Sequence, residues 1–401
     1  MLILLAVLAA AVLALMTLKL ARAVRESRAA SAGYITFGGD DRYQARNVRR
    51  DVHDSVMMAR VQLEMGEDEF EEVIARIHQN YLQWFERINA AIEHKPGGLA
   101  FEAPLEIRDA WRPFTLADTP LLCRIVVYRE EQVILLVGNH VYLGGYLLSQ
   151  FVQLVFCSAV SRDVFPRNPY LPVATELMML AFLGRHLLRS SRHRPPLYED
   201  KAQISRFYLR RDLATIKAKA QALELNYLYV VIAQHVHMVM QRMNKTRLRV
   251  TLPASFADES SFNTVGAMLL DIDAAPDLDA MTRQVRRLIK RSQWQVSATN
   301  HIQRIFPTRR LSERARNVVD LTLTIVPQKT LPQNLLTKEM KSYEFTMGNI
   351  QYPVYAMAFI FEDHVHTSFM VNTPAFDAAQ FIATDGAVPM ELALTRASRR
   401  P

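Results

Sequence analysis

The residues best placed to do chemistry lie where a β-rich apolar run, Val133 to Val137, feeds directly into Gly138-Asn139-His140-Val-Tyr-Leu-Gly144-Gly145. A histidine at a strand end, on a turn that Gly138, Gly144 and Gly145 allow to bend, projects an imidazole into a cleft. Neutral imidazole is the natural general base near pH 7 and suits removal of a proton from a hydroxyl or amine. Taken alone, a histidine at a strand end is more often a hydrogen-bonded structural residue.

Other constellations carry less. His235-Val-His237 falls on an expected helix, where positions two apart point to different faces, so a shared metal is disfavoured. His364-Val-His366 falls on an expected strand, which puts both rings on one face, but no third ligand accompanies them. Asp271-Ile-Asp273 reads as a polar strand end rather than a paired-carboxylate site. Ser158 and Ser255 lack the Gly-x-Ser-x-Gly context of a serine hydrolase. Cys123 and Cys157 provide neither a disulfide framework nor a zinc cluster, so no metal is expected.

These residues need elements to hold them. Ser55 to Leu63 reads as a strand, and from Glu67 a helix follows with Phe70, Val73, Ile74, Ile77, Tyr81, Trp84, Phe85 and Ile88 at helical spacing. Leu122–Tyr128 and Val133–Val137 flank Arg129-Glu-Glu-Gln132 and predict a hairpin. Tyr146 to Cys157 and Val173 to Leu188 are expected helices, separated by Pro166, Pro169 and Pro172. A helix pair, Asp212–Leu223 and Asn226–Met243, leads to strands at Arg247–Leu252 and Thr264–Ile272 and to a basic helix over Asp277–Gln295. Strands at Val318–Val326, Val354–Phe361 and His366–Val371 and a short helix at Phe376–Ile382 close the pattern. Strands and helices interleave in both halves, which specifies an α/β fold with mixed sheets.

The turn at residues 139–145 resembles the His-His-x-x-x-Asp-Gly motif of the wax ester synthase/diacylglycerol acyltransferase family, within the wider condensation-domain and chloramphenicol acetyltransferase-like group. His140 falls on the second, catalytic histidine, Asn139 replaces the first, and Gly144 replaces the aspartate. Leu248-Arg-Val-Thr-Leu-Pro253-Ala-Ser255 is similar to the family's Pro-Val-Ser strand, and Phe262-Asn263-Thr-Val-Gly266 falls where a Gly-Asn pair is usual. Val318-Val-Asp-Leu-Thr-Leu-Thr324-Ile325-Val-Pro327 resembles the strand that carries Ser-Asn-Val-Pro-Gly. The likeness in element order runs from about residue 50 to 385.

What the resemblance implies is a two-lobed fold with a central channel, a 46–172 lobe carrying His140 and a 173–390 lobe. His140 is the implied general base for acyl transfer from acyl-CoA or another thioester, used as co-substrate with no further cofactor. Thr324, on the strand before Pro327, is the candidate oxyanion donor. Asn139, Gly144 and Gly145 are the candidate substrate contacts. With Gly144 and Ile325 standing where polar groups are usual, two readings stay open: a rebuilt enzyme, or a fold kept to bind a lipid or a protein partner without turnover.

Composition sets the surroundings. With 50% hydrophobic and 22% charged residues over 401 positions, the chain has enough apolar surface for a globular core. Its +8 charge is spread along the sequence without a phosphate loop or an RNA-binding aromatic signature, so no nucleic-acid partner is expected. Leu2 to Leu18 is an unbroken run of apolar residues and Thr, with Lys19, Arg22, Arg25 and Arg28 all following it. That order predicts a single-pass transmembrane anchor over 1–22, a tether over 23–45, a cytoplasmic main domain and a basic tail over 391–401, with a cleaved signal ending among the small residues Ala29 to Gly33 as the rival reading. An anchored enzyme then implies a lipid-like alcohol as acceptor.

Overall fold

The computed structural model describes residues 9–18, 20–21, 24, 56–91, 105–111, 115–116, 123–140, 204–255, 265–305, 319–326, 340–348, 350, 352–390 and 395–396. The first half contributes β1 (Val56–Leu63), α1 (Glu67–Ala91), β2 (Leu105–Arg108), β3 (Thr115–Leu116), β4 (Cys123–Tyr128) and β5 (Val133–Asn139). The second begins with β6 (Ser205–Asp212), α2 (Leu213–Ala222), α3 (Tyr227–Arg242), β7 (Arg247–Ser255), β8 (Val265–Asp273) and α4 (Leu278–Ile305). It continues with β9 (Leu321–Val326), β10 (Met340–Met347), β11 (Val354–Ile360), β12 (His364–Val371), α5 (Ala378–Asp385), β13 (Val388–Pro389) and β14 (Thr395–Arg396).

Two larger sheets organise these elements, one in the order β10-β1-β5-β4-β2 and one in the order β13-β6-β12-β11-β9-β7-β8. The β4–β5 hairpin forms as its sequence predicts, with Gln132 at φ 50 in the turn. Helix α1 starts with Glu67, Asp68 and Glu69, whose charge suits the helix N-terminus, and buries Phe70, Val73, Ile74, Ile77, Tyr81 and Trp84. Asp212 and Asn226 are N-caps of α2 and α3, accepting from the Thr215 and Leu228 amides, so both helices start one residue later than periodicity indicates.

Period-two alternation assigns the faces. Ile134 and Leu136 of β5, Met57, Ala59 and Val61 of β1, and Met357 and Phe359 of β11 share one core with α1. That core therefore lies between the two sheets. The outer face of the seven-stranded sheet forms a second core with α3, α4 and α5, through Leu248 and Val250 of β7, Leu321 and Leu323 of β9, and Val354 and Ala356 of β11.

Strand β10 joins the sheets. It pairs antiparallel with β1, and buried Arg60 and Glu344 form an ion pair at 2.9 Å across that pairing. Its other edge lies on β12, where the Phe345 amide donates to Ser368 Oγ at 2.9 Å and the Met347 amide to Met370 Sδ at 3.3 Å. At the far edge, Gly266 of β8 leaves room for the backbone of α4: a Cβ there would sit 1.9 Å from the Val296 carbonyl oxygen.

Residues 9–18 are helical, and no described helix is long and apolar enough to cross a membrane. The expected anchor falls partly outside the described residues, as do most of the 23–45 tether and the 391–401 tail. The expected helices at 146–157 and 173–188 lie wholly outside them. Strands β2, β6 and β10 are not evident from the sequence; β6 and β10 mix charged residues among their apolar ones on both faces, which breaks the clean alternation of a half-buried strand.

Candidate functional site

His140 is the first residue beyond β5 and is half-buried. It continues the series Ile134, Leu136, Gly138, whose apolar members face the core between the sheets. Asn139 belongs to the opposite series, stands opposite Val56 of β1 and is fully enclosed. Gly144 and Gly145 lie outside the described residues.

Thr324 enters from the other sheet. On β9 it alternates with Leu323 and Ile325, which face the outer helices, and so it shares its face with Val326, which packs on the inter-sheet core. Its Oγ1 lies 3.1 Å from the hydroxyl of Tyr355, a half-buried residue of the parallel neighbour β11 that also packs on that core. Burial pushes the Tyr355 phenol up to about 12, so it stays protonated and able to donate at neutral pH. In such a pair one hydroxyl donates to the other, and the second proton remains available to an oxygen developing negative charge. Tyr355 carries no signal in the sequence, because its partner is set by the β9–β11 register.

His140 and Thr324 thus come from different sheets, on faces that border the same core. Three other histidines that the sequence brings forward are structural. His235 is enclosed, with Nδ1 2.6 Å from the Val231 carbonyl and Nε2 2.8 Å from Thr367 Oγ1. These contacts fix the tautomer: Nδ1–H donates to the carbonyl, and Nε2 accepts from the threonine. Burial lowers its pKa to about 4. His364 and His366 do share a face, as the strand spacing predicts, with ring centroids 4.6 Å apart. Both are enclosed, next to Phe361, and His364 Nδ1 contacts Asp363.

Among the described residues no group of three His, Cys, Asp or Glu side chains is arranged to hold a metal. Asp271 pairs with Arg247 and Arg249, and Asp273 with Arg247, so these carboxylates end their strand in ion pairs. The hydroxyl of buried Tyr81 donates to Cys123 Sγ at 3.2 Å, and burial raises that thiol to about 12, which leaves it unreactive.

No protein-family model matches the chain, and no curated protein does. Solved structures do. A variant of the starter condensation domain of rhizomide synthetase RzmA, in complex with C8-CoA and Leu-SNAC, is similar with a TM-score of 0.54 at 11% identity, over 91% of this chain and 98% of that one. A variant of the nonribosomal peptide synthetase FmoA3, in its alpha-methyl-L-serine-AMP-bound form, gives 0.56 at 12% identity over 87% of this chain and 43% of that one. Polyketide synthase associated protein 5 from Mycobacterium tuberculosis gives 0.52 at 11% identity, over 82% and 95%. At such identities the likeness is one of fold: this chain has the mixed α/β, two-sheet architecture of condensation domains.

Proposed function

We propose that the protein is an acyltransferase in which His140 is the general base, moving an acyl group from acyl-CoA or another thioester to a hydroxyl of a lipid-like acceptor. The observation that carries this reading is the convergence of two sheets: β5 ends at His140 on the face bordering the inter-sheet core, and β9 and β11 bring the Thr324–Tyr355 hydroxyl pair to that core from the other side. The RzmA condensation domain, with the same fold, is in complex with an acyl-CoA, which supports a thioester donor.

In the proposed reaction the imidazole takes the proton of the acceptor hydroxyl as its oxygen attacks the thioester carbonyl. The resulting oxyanion is held by the Thr324 hydroxyl, which the Tyr355 hydroxyl positions. Collapse of the tetrahedral intermediate breaks the C–S bond, and the imidazolium proton passes to the departing thiolate, giving an ester and free thiol. No further cofactor takes part. The wax ester synthase-like motif favours an alcohol acceptor over an amine, and the apolar run Leu2 to Leu18 favours a membrane as the place where both substrates are met.

The test is purified protein offered labelled acyl-CoA with a panel of long-chain alcohols and diacylglycerols, beside His140→Ala. Loss of a general base lowers turnover by roughly 10²–10⁴-fold, whereas equal product from both proteins would remove His140 from the mechanism. Gly144, in place of the motif's aspartate, favours a second reading in which a lipid or protein partner is bound without turnover. Saturable acyl-CoA binding with no product from any acceptor is the result expected of that alternative.

A further inference from the structure

We propose that the outward face of α4 is an electrostatic docking surface for an anionic lipid bilayer. Arg283, Arg286, Arg287, Lys290 and Arg291 stand at positions i, i+3, i+4, i+7 and i+8 of this helix, so they form one stripe about 12 Å long. All are exposed except the half-buried Arg286, while Met281, Val285 and Ile289 on the other side are enclosed in the outer core.

Among the described side chains, none of these five cations has a carboxylate partner. Most other described cations do: Arg60 pairs with Glu344, Arg108 and Arg124 with Glu106, Arg129 with Glu71, and Arg210 with Asp363. Arg211 and Arg242 pair with Asp385, Lys245 with Asp320, and Arg247 and Arg249 with Asp271. Arg76, Arg206, Lys217 and Lys341 lack such a partner but stand singly on four different elements. The one carboxylate in the first turn of α4, Asp279, is taken by Lys219 of α2. Among the described residues, uncompensated positive charge is therefore concentrated on one helix face, and its complement is a dense anionic surface.

Two observations choose the bilayer. Residues 283–291 include no aromatic side chain on which bases would stack, as single-stranded nucleic-acid surfaces require. The helical residues near the N-terminus expose Leu13, Met16, Leu18, Leu20 and Val24, an apolar set suited to a bilayer. Substrate phosphates are the wrong occupant, because α4 packs on the outer face of the seven-stranded sheet and the proposed site borders the inner one. The inference deepens the membrane setting of the proposed function and does not require turnover.

The experiment is flotation of the full chain with phosphatidylcholine vesicles, alone or mixed with phosphatidylglycerol, at low and high salt. Each basic residue at an anionic surface contributes severalfold to affinity, so a preference of at least about tenfold for the anionic vesicles is expected, declining as salt rises. A triple variant, Arg287→Glu with Lys290→Glu and Arg291→Glu, should lose that preference and keep its binding to phosphatidylcholine, its acyl-CoA binding and its melting temperature. Equal binding of the wild type to both vesicle types, or a variant that keeps the preference, overturns the proposal. So does tighter binding of the wild type to an oligonucleotide than to anionic vesicles. Loss of acyltransfer alone leaves the vesicle result intact, so failure of the enzymatic reading is told apart from failure of this one.

Discussion

At the scale of single residues, the proposed chemistry divides between a base from one sheet and a hydroxyl pair from the other. The Thr324–Tyr355 contact of 3.1 Å makes Tyr355 a positioning residue for the donor. Tyr355→Phe keeps the ring and removes the partner oxygen. It is expected to lower kcat by about tenfold to a hundredfold with KM little changed, less than the ~10²–10³-fold typical of deleting a direct oxyanion donor. Thr324→Val should match or exceed that loss, and Thr324→Ser should restore most of the rate. A Tyr355→Phe enzyme with unchanged kcat would show that Thr324 needs no help. His140 was legible because a strand, a histidine and glycines are adjacent in sequence. Tyr355 was not, because its role depends on a parallel pairing across about thirty residues that no local pattern announces.

At the scale of elements, the sequence displayed those with strong periodicity and hid those stabilised by partners elsewhere. Helix α1 and the β4–β5 hairpin follow from their own apolar spacing. Strand β6, Ser-Arg-Phe-Tyr-Leu-Arg-Arg-Asp, has too much charge to read as a strand alone, and it is held by its antiparallel pairing with β12. Gly266 is a similar case. The sequence places it only in a segment where a Gly-Asn pair is usual, and its reason emerges from the helix it faces. Gly266→Ala places a methyl group 1.9 Å from a backbone oxygen that cannot rotate away, so β8 and α4 must separate. A loss of about 1–3 kcal/mol is expected, measurable as a lowered urea midpoint. An unchanged midpoint would mean that α4 shifts freely on the sheet.

At the scale of the molecule, buried histidines tie stability to pH. His235 is held down to about 4 by burial, and His366 well below its ordinary value by burial, His364 and Arg210. An unfolded chain protonates both near pH 6.5, whereas the native state does not until well below that. The unfolded state therefore binds more protons between about pH 6.5 and 4, so stability rises with pH through this window and is lost as pH falls. A tenfold difference in proton affinity between the two states is worth about 1.4 kcal/mol, so the loss is on the order of a few kcal/mol. Denaturant midpoints at pH 7.5 and 5 check it. Both ring nitrogens of His366 lack a hydrogen-bond partner among the described residues, and its neighbours Tyr208 and Phe361 are aromatic. His366→Phe should accordingly preserve stability at neutral pH and flatten the slope. A slope unaffected by that change would leave His366 outside the acid response.

The β1–β10 pairing also has a consequence for how the chain is made. Arg60 and Ser342, which meet across that pairing, are separated by 282 positions in sequence. During synthesis from the N-terminus, β1 is out of the ribosome long before β10, so one edge of the first sheet waits unpaired while most of the protein is still being translated. The nascent chain thus carries an open, apolar strand edge for most of its production, a template for mispairing with other chains. Closure comes only when residues 340–347 emerge, and with them the ribosome releases the strand that joins the two sheets.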